Sequence, residues 1–343
     1  MISNFADYAY SAAFGAQCDI SIVVPVFNEE DSLKIFHQRL VDQLIDTNLD
    51  WEIIYVDDGS QDQSRHYIKA FRLQFPNISL LCLSRNFGKE NAMSAGLKVS
   101  RGNAVIIMDA DLQDPPSLLP RMIAEWRKGS DVVNMRRSSR QGESFLKKIT
   151  SRLFYKVINQ IGEIEIPEGV GDFRLLSRRV VDILNQLPES NRFMKGLFSW
   201  VGYKQVTLEF DRDSRIAGKT KWNYWKLWNF ALEGITGFSS APLKLASYIG
   251  FFCAFGSLTY AVYFLIKTAV IGDTTPGFPT LVITILTLGG IQLMAIGVLG
   301  EYLGRLFTES KKRPLFLIDE YLPPRNISSA IRPTIIVPKQ YEI

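Results

Sequence analysis

The sequence predicts an α/β domain with a mostly parallel sheet, followed by two transmembrane helices. In the first part of the chain, apolar runs of strand length alternate with segments of helical spacing, as in parallel sheets covered by helices. Later in the chain, two long runs contain no charged residue, 245–266 and 274–300. Because about 20 apolar residues are enough to cross a bilayer, each of these runs is long enough to span one.

The first part, residues 18–220, is expected to be an open, Rossmann-like sheet domain that follows a loose N-terminal extension at 1–17. Four apolar runs rich in β-branched residues are predicted to be its first strands: 20–26, 51–56, 79–83 and 104–108. Segments with apolar residues at every third or fourth position are predicted to be the intervening helices: 31–45, 62–75 and 90–99. A further short strand is predicted at 131–133. Ligands of such sheets bind beyond the carboxyl ends of the strands.

Acidic and polar side chains follow three of these predicted strands, in the segments 25–30, 57–60 and 109–116. Asp109 and Asp111 stand two residues apart, so on an extended chain their carboxylates point the same way. Two neighbouring carboxylates repel each other unless a cation lies between them, and Mg²⁺ or Mn²⁺ shared with substrate phosphates is the natural partner. The alternative is a pair of turn-forming aspartates ahead of Pro115.

Basic residues gather in two places. The first group follows the predicted strand at 131–133 and contains Arg136, Arg137 and Arg140. The second group is Arg212, Arg215, Lys219 and Lys221. Such side chains could neutralise a diphosphate and a second phosphate group. A solvated charged face is the alternative.

Two amphipathic segments are predicted to lie at a membrane surface. Residues 145–161 combine an apolar helical stripe with lysines and arginines, and 221–240 carries three of the six tryptophans. For 145–161, a core-packed helix with a basic outer face is the alternative. The transmembrane helices are placed at about 243–267 and 278–302, ahead of a cytoplasmic tail at 311–343. Cationic residues crowd the outer flanks of the helix pair, so the positive-inside rule places the sheet domain on the cytoplasmic side of the inner membrane. A pair of buried core helices is the alternative.

Composition excludes several other classes of protein. Three cysteines and two histidines are too few for a disulfide framework or a structural zinc site. The formal net charge of +4 is small for a nucleic-acid-binding chain, and the basic residues flank apolar stretches instead. Nucleic acid is therefore not an expected partner.

The acidic segments occur together with five further motifs: 84–90 (SRNFGKE), 171–175 (GDFRL), 192–196 (RFMKG), 220–223 (TKWN) and 300–305 (GEYLGR). This combination resembles the inverting, GT-A-fold family 2 glycosyltransferases. Within that family it is most similar to the polyprenyl-phosphate glycosyltransferases, the branch that contains dolichol-phosphate mannose synthase and the bactoprenol glucosyltransferases of the GtrB type. The similarity covers about residues 18–318.

The resemblance implies roles for the matching positions. The uracil and ribose of a UDP-sugar would be held by Pro25, Phe27, Glu29, Val56 and Asp58. The rest of the nucleotide-sugar would contact Asp109, Ala110, Asp111, Arg215 and Lys221, and the ligands of a Mg²⁺ or Mn²⁺ ion would be Asp109, Asp111 and Gln113. The acceptor phosphate would be bound by Arg137, Arg140 and Arg215. Catalysis would depend on Asp111, Arg137 and Asp172, the last at the position proposed for a catalytic base.

The implied reaction moves a hexose, expected to be glucose, from a UDP-sugar to undecaprenyl or another polyprenyl phosphate, giving a lipid-linked donor for cell-surface glycans. Mannose, galactose and aminoarabinose are the alternative sugars, and a homotetramer is also implied. A processive polysaccharide synthase is disfavoured because the chain has no Gln-x-x-Arg-Trp motif. A non-enzymatic, membrane-anchored nucleotide-binding scaffold is the alternative from another class, and the intact acidic set argues against it.

Overall fold

The computed structural model of the chain describes residues 18–137, 169–189, 192–210, 241–271 and 277–325. The chain divides into two compact units, one containing the sheet and the other containing two long helices. Several predictions concern segments outside the described residues and stay predictions: the extension at 1–17, the interfacial helices at 145–161 and 221–240, and the tail beyond 325.

The first unit is built on an eight-stranded sheet. Its strands are β1 (Cys18–Val26), β2 (Trp51–Asp57), β3 (Ile78–Leu83), β4 (Gly102–Ile107), β5 (Val132–Arg137), β6 (Val170–Ser177), β7 (Gln205–Phe210) and β8 (Ile318–Leu322). They follow the order β7-β5-β6-β4-β1-β2-β3-β8. The pairs β1–β2, β1–β4, β2–β3 and β5–β7 are parallel, and the other three pairs are antiparallel. The predicted, mostly parallel sheet is confirmed.

Helices cover both faces of this sheet: α1 (Glu30–Ile45), α2 (Ser64–Gln74), α3 (Lys89–Val99), α4 (Leu119–Arg127), α5 (Arg178–Gln186) and α6 (Met194–Trp200). Alternate residues of β1 point to opposite faces. Ile22 and Val24 belong to the cluster that contains Phe36 of α1. Val23 faces α3, where a Cβ added to Gly96 would lie only 2.3 Å from Val23 Cγ1. Glycine at 96 thus lets α3 pack directly on the sheet, and the Rossmann-like α/β architecture is confirmed.

The second unit contains the helices α7 (Ala241–Ile271) and α8 (Phe278–Ser310). The two segments that the sequence predicts to be transmembrane, at about 243–267 and 278–302, lie within these helices. Judged on the described residues alone, no helix combines the length and apolar character needed to cross a membrane.

Strand β8 was not predicted, because its residues fall in the segment expected to be a tail. It pairs antiparallel with β3 and covers that edge of the sheet. Lys69 of α2 forms a 2.8 Å ion pair with Glu320 of β8. Beyond the strand, the Arg325 amide donates to the Pro76 carbonyl at 2.6 Å, and Arg72 Nη2 donates to the Pro323 carbonyl at 2.6 Å. The chain that leaves α8 is therefore fastened to the sheet domain by backbone and side-chain contacts.

A buried histidine lies between α1 and the sheet. His37 is 4% exposed, stacks on Phe71 with ring centroids 3.8 Å apart, and places Nδ1 2.9 Å from the Tyr55 hydroxyl oxygen. Burial disfavours the charged imidazolium and lowers the pKa of His37 from 6.5 to about 4. The folded protein therefore resists protonation at this site, whereas the unfolded chain takes up a proton near pH 6.5.

The difference between the pKa values of His37 in the folded and unfolded chain predicts that the protein loses stability in mild acid. The contribution of His37 is complete above pH 6.5 and falls as the pH drops towards 4, by up to about 1.4 kcal/mol per pH unit. We expect His37→Phe to flatten the dependence of the thermal unfolding midpoint on pH between 7 and 5. The matched control is His66→Phe. His66 is the other histidine of the chain and lies exposed on α2, so its replacement should leave the slope unchanged. Equal slopes in the wild type and His37→Phe would refute the assignment.

Candidate active site

The three acidic segments meet at one edge of the sheet. Strands β4, β1 and β2 are neighbours and run parallel, so their carboxyl ends lie side by side. The Asp58 amide donates to the Val26 carbonyl at 2.9 Å, and the Met108 amide donates to the Val23 carbonyl at 3.2 Å. The predicted convergence of the segments at 25–30, 57–60 and 109–116 is confirmed.

The turn after β1 presents the residues predicted to hold a base and ribose. Phe27 is 36% exposed, as a stacking surface needs to be. Asn28 adopts a left-handed conformation with φ 55°, and its Oδ1 accepts a hydrogen bond from the Gln61 amide at 2.9 Å. The Glu29 amide donates to Ser64 Oγ at 3.0 Å. The turn is thus fixed to the loop that follows β2, with Phe27 on its outside.

Two of the predicted contact residues have buried side chains. Val56 is fully buried, with its Cγ2 3.1 Å from the position that a Cβ on Gly96 would occupy, and Ala110 is 2% exposed. Any contact of Val56 or Ala110 with a ligand would therefore be made by the main chain. Pro25 lies opposite Val56 in the β1–β2 register and is half-buried.

Asp58 fixes the loop that leads into α3. Its two carboxylate oxygens accept hydrogen bonds from the amides of Phe87 at 2.7 Å and Gly88 at 2.9 Å. Burial raises the pKa of Asp58, and these amides offset part of the rise. The loop passes so close that a Cβ on Gly59, which has φ +75°, would lie 2.7 Å from the Arg85 carbonyl carbon. Asp58 thereby sets the position of the first residue of α3, Lys89.

The segment after β4 carries the predicted metal ligands. Asp111 Oδ1 accepts the Gln113 amide at 3.1 Å across Leu112, which has φ 62°. The Oε1 atom of Gln113 is buried and accepts no hydrogen bond from any described residue. Asp114 is 4% exposed, and burial together with the charges of Asp109 and Asp111 raises its pKa to about 7.

These oxygen atoms fit a divalent cation. Mg²⁺ and Mn²⁺ prefer carboxylate and carbonyl oxygens. The buried Gln113 Oε1 is such an acceptor, and no donor reaches it from the described part of the chain. The described residues contain no group of three or more His, Cys, Asp or Glu side chains placed to hold a metal ion. The amide oxygen of Gln113 and oxygens from a ligand would therefore have to complete the coordination of Asp109 and Asp111.

Asp172 approaches the same edge from another strand. Strand β6 runs antiparallel to β4, and Ile107 opposite Arg174 is the last pair of their register. Asp109 follows Ile107 by two residues and Asp172 precedes Arg174 by two, so both lie just beyond that pair. Lys89 lies between them, with Nζ 2.7 Å from Asp109 Oδ2 and 2.5 Å from Asp172 Oδ2. We call this arrangement the Lys89 bridge.

The bridge sets the charge of its members. Burial alone would raise the pKa of Asp172, but Lys89 and Lys195 outweigh it and hold the pKa well below its usual range. Burial would lower the pKa of Lys89, and the two carboxylates outweigh it and raise the pKa. Asp172 is thus ionised at neutral pH, and its Oδ1 is buried and accepts no hydrogen bond from any described residue.

Of the residues predicted to bind phosphate, Arg137 is the described one that lies at this edge. It ends β5, and a Cβ on Gly171 would lie 3.7 Å from its Nη2 atom, which places the guanidinium beside the residue before Asp172. The other predicted phosphate-binding residues, Arg140, Arg215 and Lys221, lie outside the described part of the chain.

Sequence reasoning assigned no role to Lys89 or Lys195, although both lie in motifs that the resemblance uses. Lys195 lies at the start of α6, where the Met194 amide donates to Glu90 Oε2 at 3.3 Å. The sequence does contain an indication that Lys89 lies at the site. Lys89 begins the helix that follows β3, and the carboxyl end of β3 lies at the same edge of the sheet.

The fold and this edge define an α/β enzyme domain that binds its ligands at the carboxyl ends of parallel strands. Residues 21–184 match glycosyl transferase family 2, and residues 241–306 match the GtrB C-terminal hairpin. An uncharacterised glycosyltransferase from Synechocystis sp. is 50% identical over 310 residues, covering 89% of this chain and 98% of that protein. The chain belongs to glycosyl transferase family 2, and it is a glycosyltransferase with a GT-A fold.

Two further relatives carry a more specific name. A bactoprenol glucosyl transferase from Shigella phage SfX is 47% identical over 299 residues, covering 87% of this chain and 98% of that protein. A prophage bactoprenol glucosyl transferase homolog from Escherichia coli K12 is 46% identical over 299 residues, covering 87% of this chain and 98% of that protein.

Proposed function

We propose that this chain transfers glucose from UDP-glucose to a polyprenyl phosphate such as undecaprenyl phosphate, with inversion at the anomeric carbon. The observation that carries the proposal is the meeting of Asp109, Asp111 and Gln113 with Asp172 at one sheet edge. The similarity to proteins named bactoprenol glucosyl transferase, which extends over the hairpin segment, supports the lipid acceptor and the sugar.

The donor half of the site suits a nucleotide diphosphate. Phe27 offers a face on which the base can stack. Glu29, in the turn fixed to Ser64, is proposed to bind the ribose. Asp109, Asp111 and Gln113 would hold Mg²⁺ or Mn²⁺. When bound, such an ion neutralises the charge that develops on the leaving diphosphate. Arg215 and Lys221 are proposed to contact the same phosphates.

The acceptor half suits a phosphate that needs positioning more than deprotonation. A phosphate monoester has a second pKa of about 6, so it is mostly dianionic at neutral pH and already nucleophilic. Arg137, with Arg140 and Arg215, is proposed to bind this dianion. The ionised Asp172, whose buried Oδ1 has no hydrogen-bond partner among the described residues, is suited to accept a hydrogen bond from a sugar hydroxyl or from an arginine.

We also propose that α7 and α8 anchor the enzyme in the inner membrane, with the sheet domain on the cytoplasmic side. Their uncharged stretches, 245–266 and 274–300, and the cationic residues that flank the pair support this arrangement. The interfacial segments that the sequence predicts at 145–161 and 221–240 would then lie at headgroup level, where the phosphate of a lipid can reach the site while its chain stays in hydrocarbon. A homotetramer is part of the same proposal.

The experiment that tests the proposal uses membranes containing the full chain, polyprenyl phosphate, Mn²⁺ and a panel of labelled nucleotide-sugars. We expect labelled lipid from UDP-glucose, and none when a chelator removes the metal. Lipid labelled instead from a mannose, galactose or aminoarabinose donor would correct the sugar. Absence of metal-dependent transfer from every donor would favour the non-enzymatic scaffold.

A further inference from the structure

The Lys89 bridge joins two parts of the site to which the proposed function gives separate tasks. Asp109 belongs to the donor and metal side, whereas Asp172 belongs to the acceptor side. Each carboxylate lies within 2.7 Å of the same Lys89 Nζ, so the two negative charges are close to each other and would repel without that cation. The ammonium of Lys89 contacts one oxygen of each carboxylate, so a single side chain holds both.

The backbone position of Lys89 is itself fixed by hydrogen bonds and packing. The amides of Phe87 and Gly88, the two residues before it, donate to Asp58, and the helix that Lys89 opens packs on β1 through Gly96. The side chain of Lys89 is 41% exposed, and those of Asp109 and Asp172 are 26% and 14% exposed, so solvent reaches each of the three only in part.

The same ammonium occupies a carboxylate oxygen that a divalent cation would use. A positive charge beside Asp109 opposes the approach of a second cation, and the opposition is strong where water is partly excluded. Lys89 therefore has two effects of opposite sign: it fixes Asp172, and it weakens the cation site.

We propose that Lys89 is a positioning residue, which holds Asp172 beside Asp109 for transfer and tunes the affinity of the divalent cation at Asp109. The proposal rests on the proposed function for the transfer step, while its effect on cation binding does not depend on any substrate. A residue with only a structural role would not produce this pair of effects, because loss of structure weakens cation binding and transfer together.

The test replaces Lys89 with Met, which keeps the length and removes the charge, in the full chain. Mn²⁺ binding without substrate is measured by electron paramagnetic resonance, and kcat is measured with UDP-glucose and polyprenyl phosphate. We expect Lys89→Met to bind Mn²⁺ roughly tenfold more tightly and to lower kcat on the order of 100-fold. Lys98→Met, an exposed lysine of the same helix, is the matched control and should change neither value.

A double-mutant cycle then asks whether Lys89 acts through Asp172. If it does, Lys89→Met combined with Asp172→Asn will be no slower than the slower single variant. Losses that multiply would overturn the proposal, as would Mn²⁺ binding no tighter than in the wild type or an unchanged kcat. A wild type that binds Mn²⁺ but transfers no sugar would contradict the proposed function alone, and the Mn²⁺ measurement would still decide the effect of Lys89 on the cation.

Discussion

Replacing Asp111 with Asn is expected to abolish sugar transfer while leaving the fold intact. The carboxylate oxygen of Asp111 that accepts the Gln113 amide at 3.1 Å is matched by the amide oxygen of Asn, so the turn at Leu112 can persist. The negative charge that a divalent cation needs is lost. Because stabilisation of charge on a leaving group supplies much of the rate, we expect kcat to fall by about three orders of magnitude.

The measurement is Mn²⁺-dependent transfer from UDP-glucose by the full chain, with the thermal midpoint recorded in parallel. Asp42→Asn is the matched control, because Asp42 is an exposed aspartate of α1 whose partner is Gln38. It should retain wild-type activity. Full activity in Asp111→Asn would show that Asp111 is not a metal ligand.

Replacing Glu52 with Ala is expected to cause a large loss in the free energy of unfolding. Glu52 is 1% exposed and lies in β2, at the end of the sheet opposite the site. Its Oε1 accepts Ser21 Oγ at 2.6 Å and the Arg101 amide at 2.8 Å, and its Oε2 accepts Arg101 Nη2 at 2.6 Å. Removing one partner of a buried pair leaves the other charge uncompensated, so we expect a loss of about 3–5 kcal/mol.

Thermal or denaturant unfolding of the full chain measures this loss. The control is Glu125→Ala, which breaks a surface ion pair with Lys128 whose lysine side chain is 68% exposed. Such pairs contribute about 0–1 kcal/mol, so its midpoint should stay close to that of the wild type. If the two variants lost the same stability, the buried network around Glu52 would not contribute the stability that its contacts indicate.

The sheet domain was predictable from the sequence because its signals are local. The apolar runs at 20–26, 51–56, 79–83 and 104–108 all form strands, since each is long enough and apolar enough to be buried on both faces. The acidic ends could be placed together because the carboxyl ends of neighbouring parallel strands meet at one edge.

The position of Asp172 relative to Asp109 could not be predicted in the same way. The two residues are far apart in the chain and come together only because β6 inserts antiparallel beside β4, in a register that no local pattern encodes. The Lys89 bridge depends on that register and on the loop that Asp58 holds, so motif spacing alone did not show it.

Strand β8 was missed for a different reason. Its five residues, Ile318–Leu322, include two acidic side chains, and an antiparallel edge strand can be this short and polar when it needs to cover only one neighbour. The basic residues at 140, 215 and 221 lie outside the described part of the chain, so their predicted roles depend on the resemblance.

The return of the chain to form β8 changes how the protein can be divided. In chain order, the helix pair α7 and α8 lies between β7 and β8 of one sheet, so it is an insertion within the sheet domain and not a module appended after it. Ending the chain before residue 241 would remove the helix pair together with the strand that covers β3. The excised domain would then expose the unpaired backbone of β3 as a template for self-association. A version of the sheet domain without the helix pair would need the two ends of the insertion joined by a linker, with β8 retained.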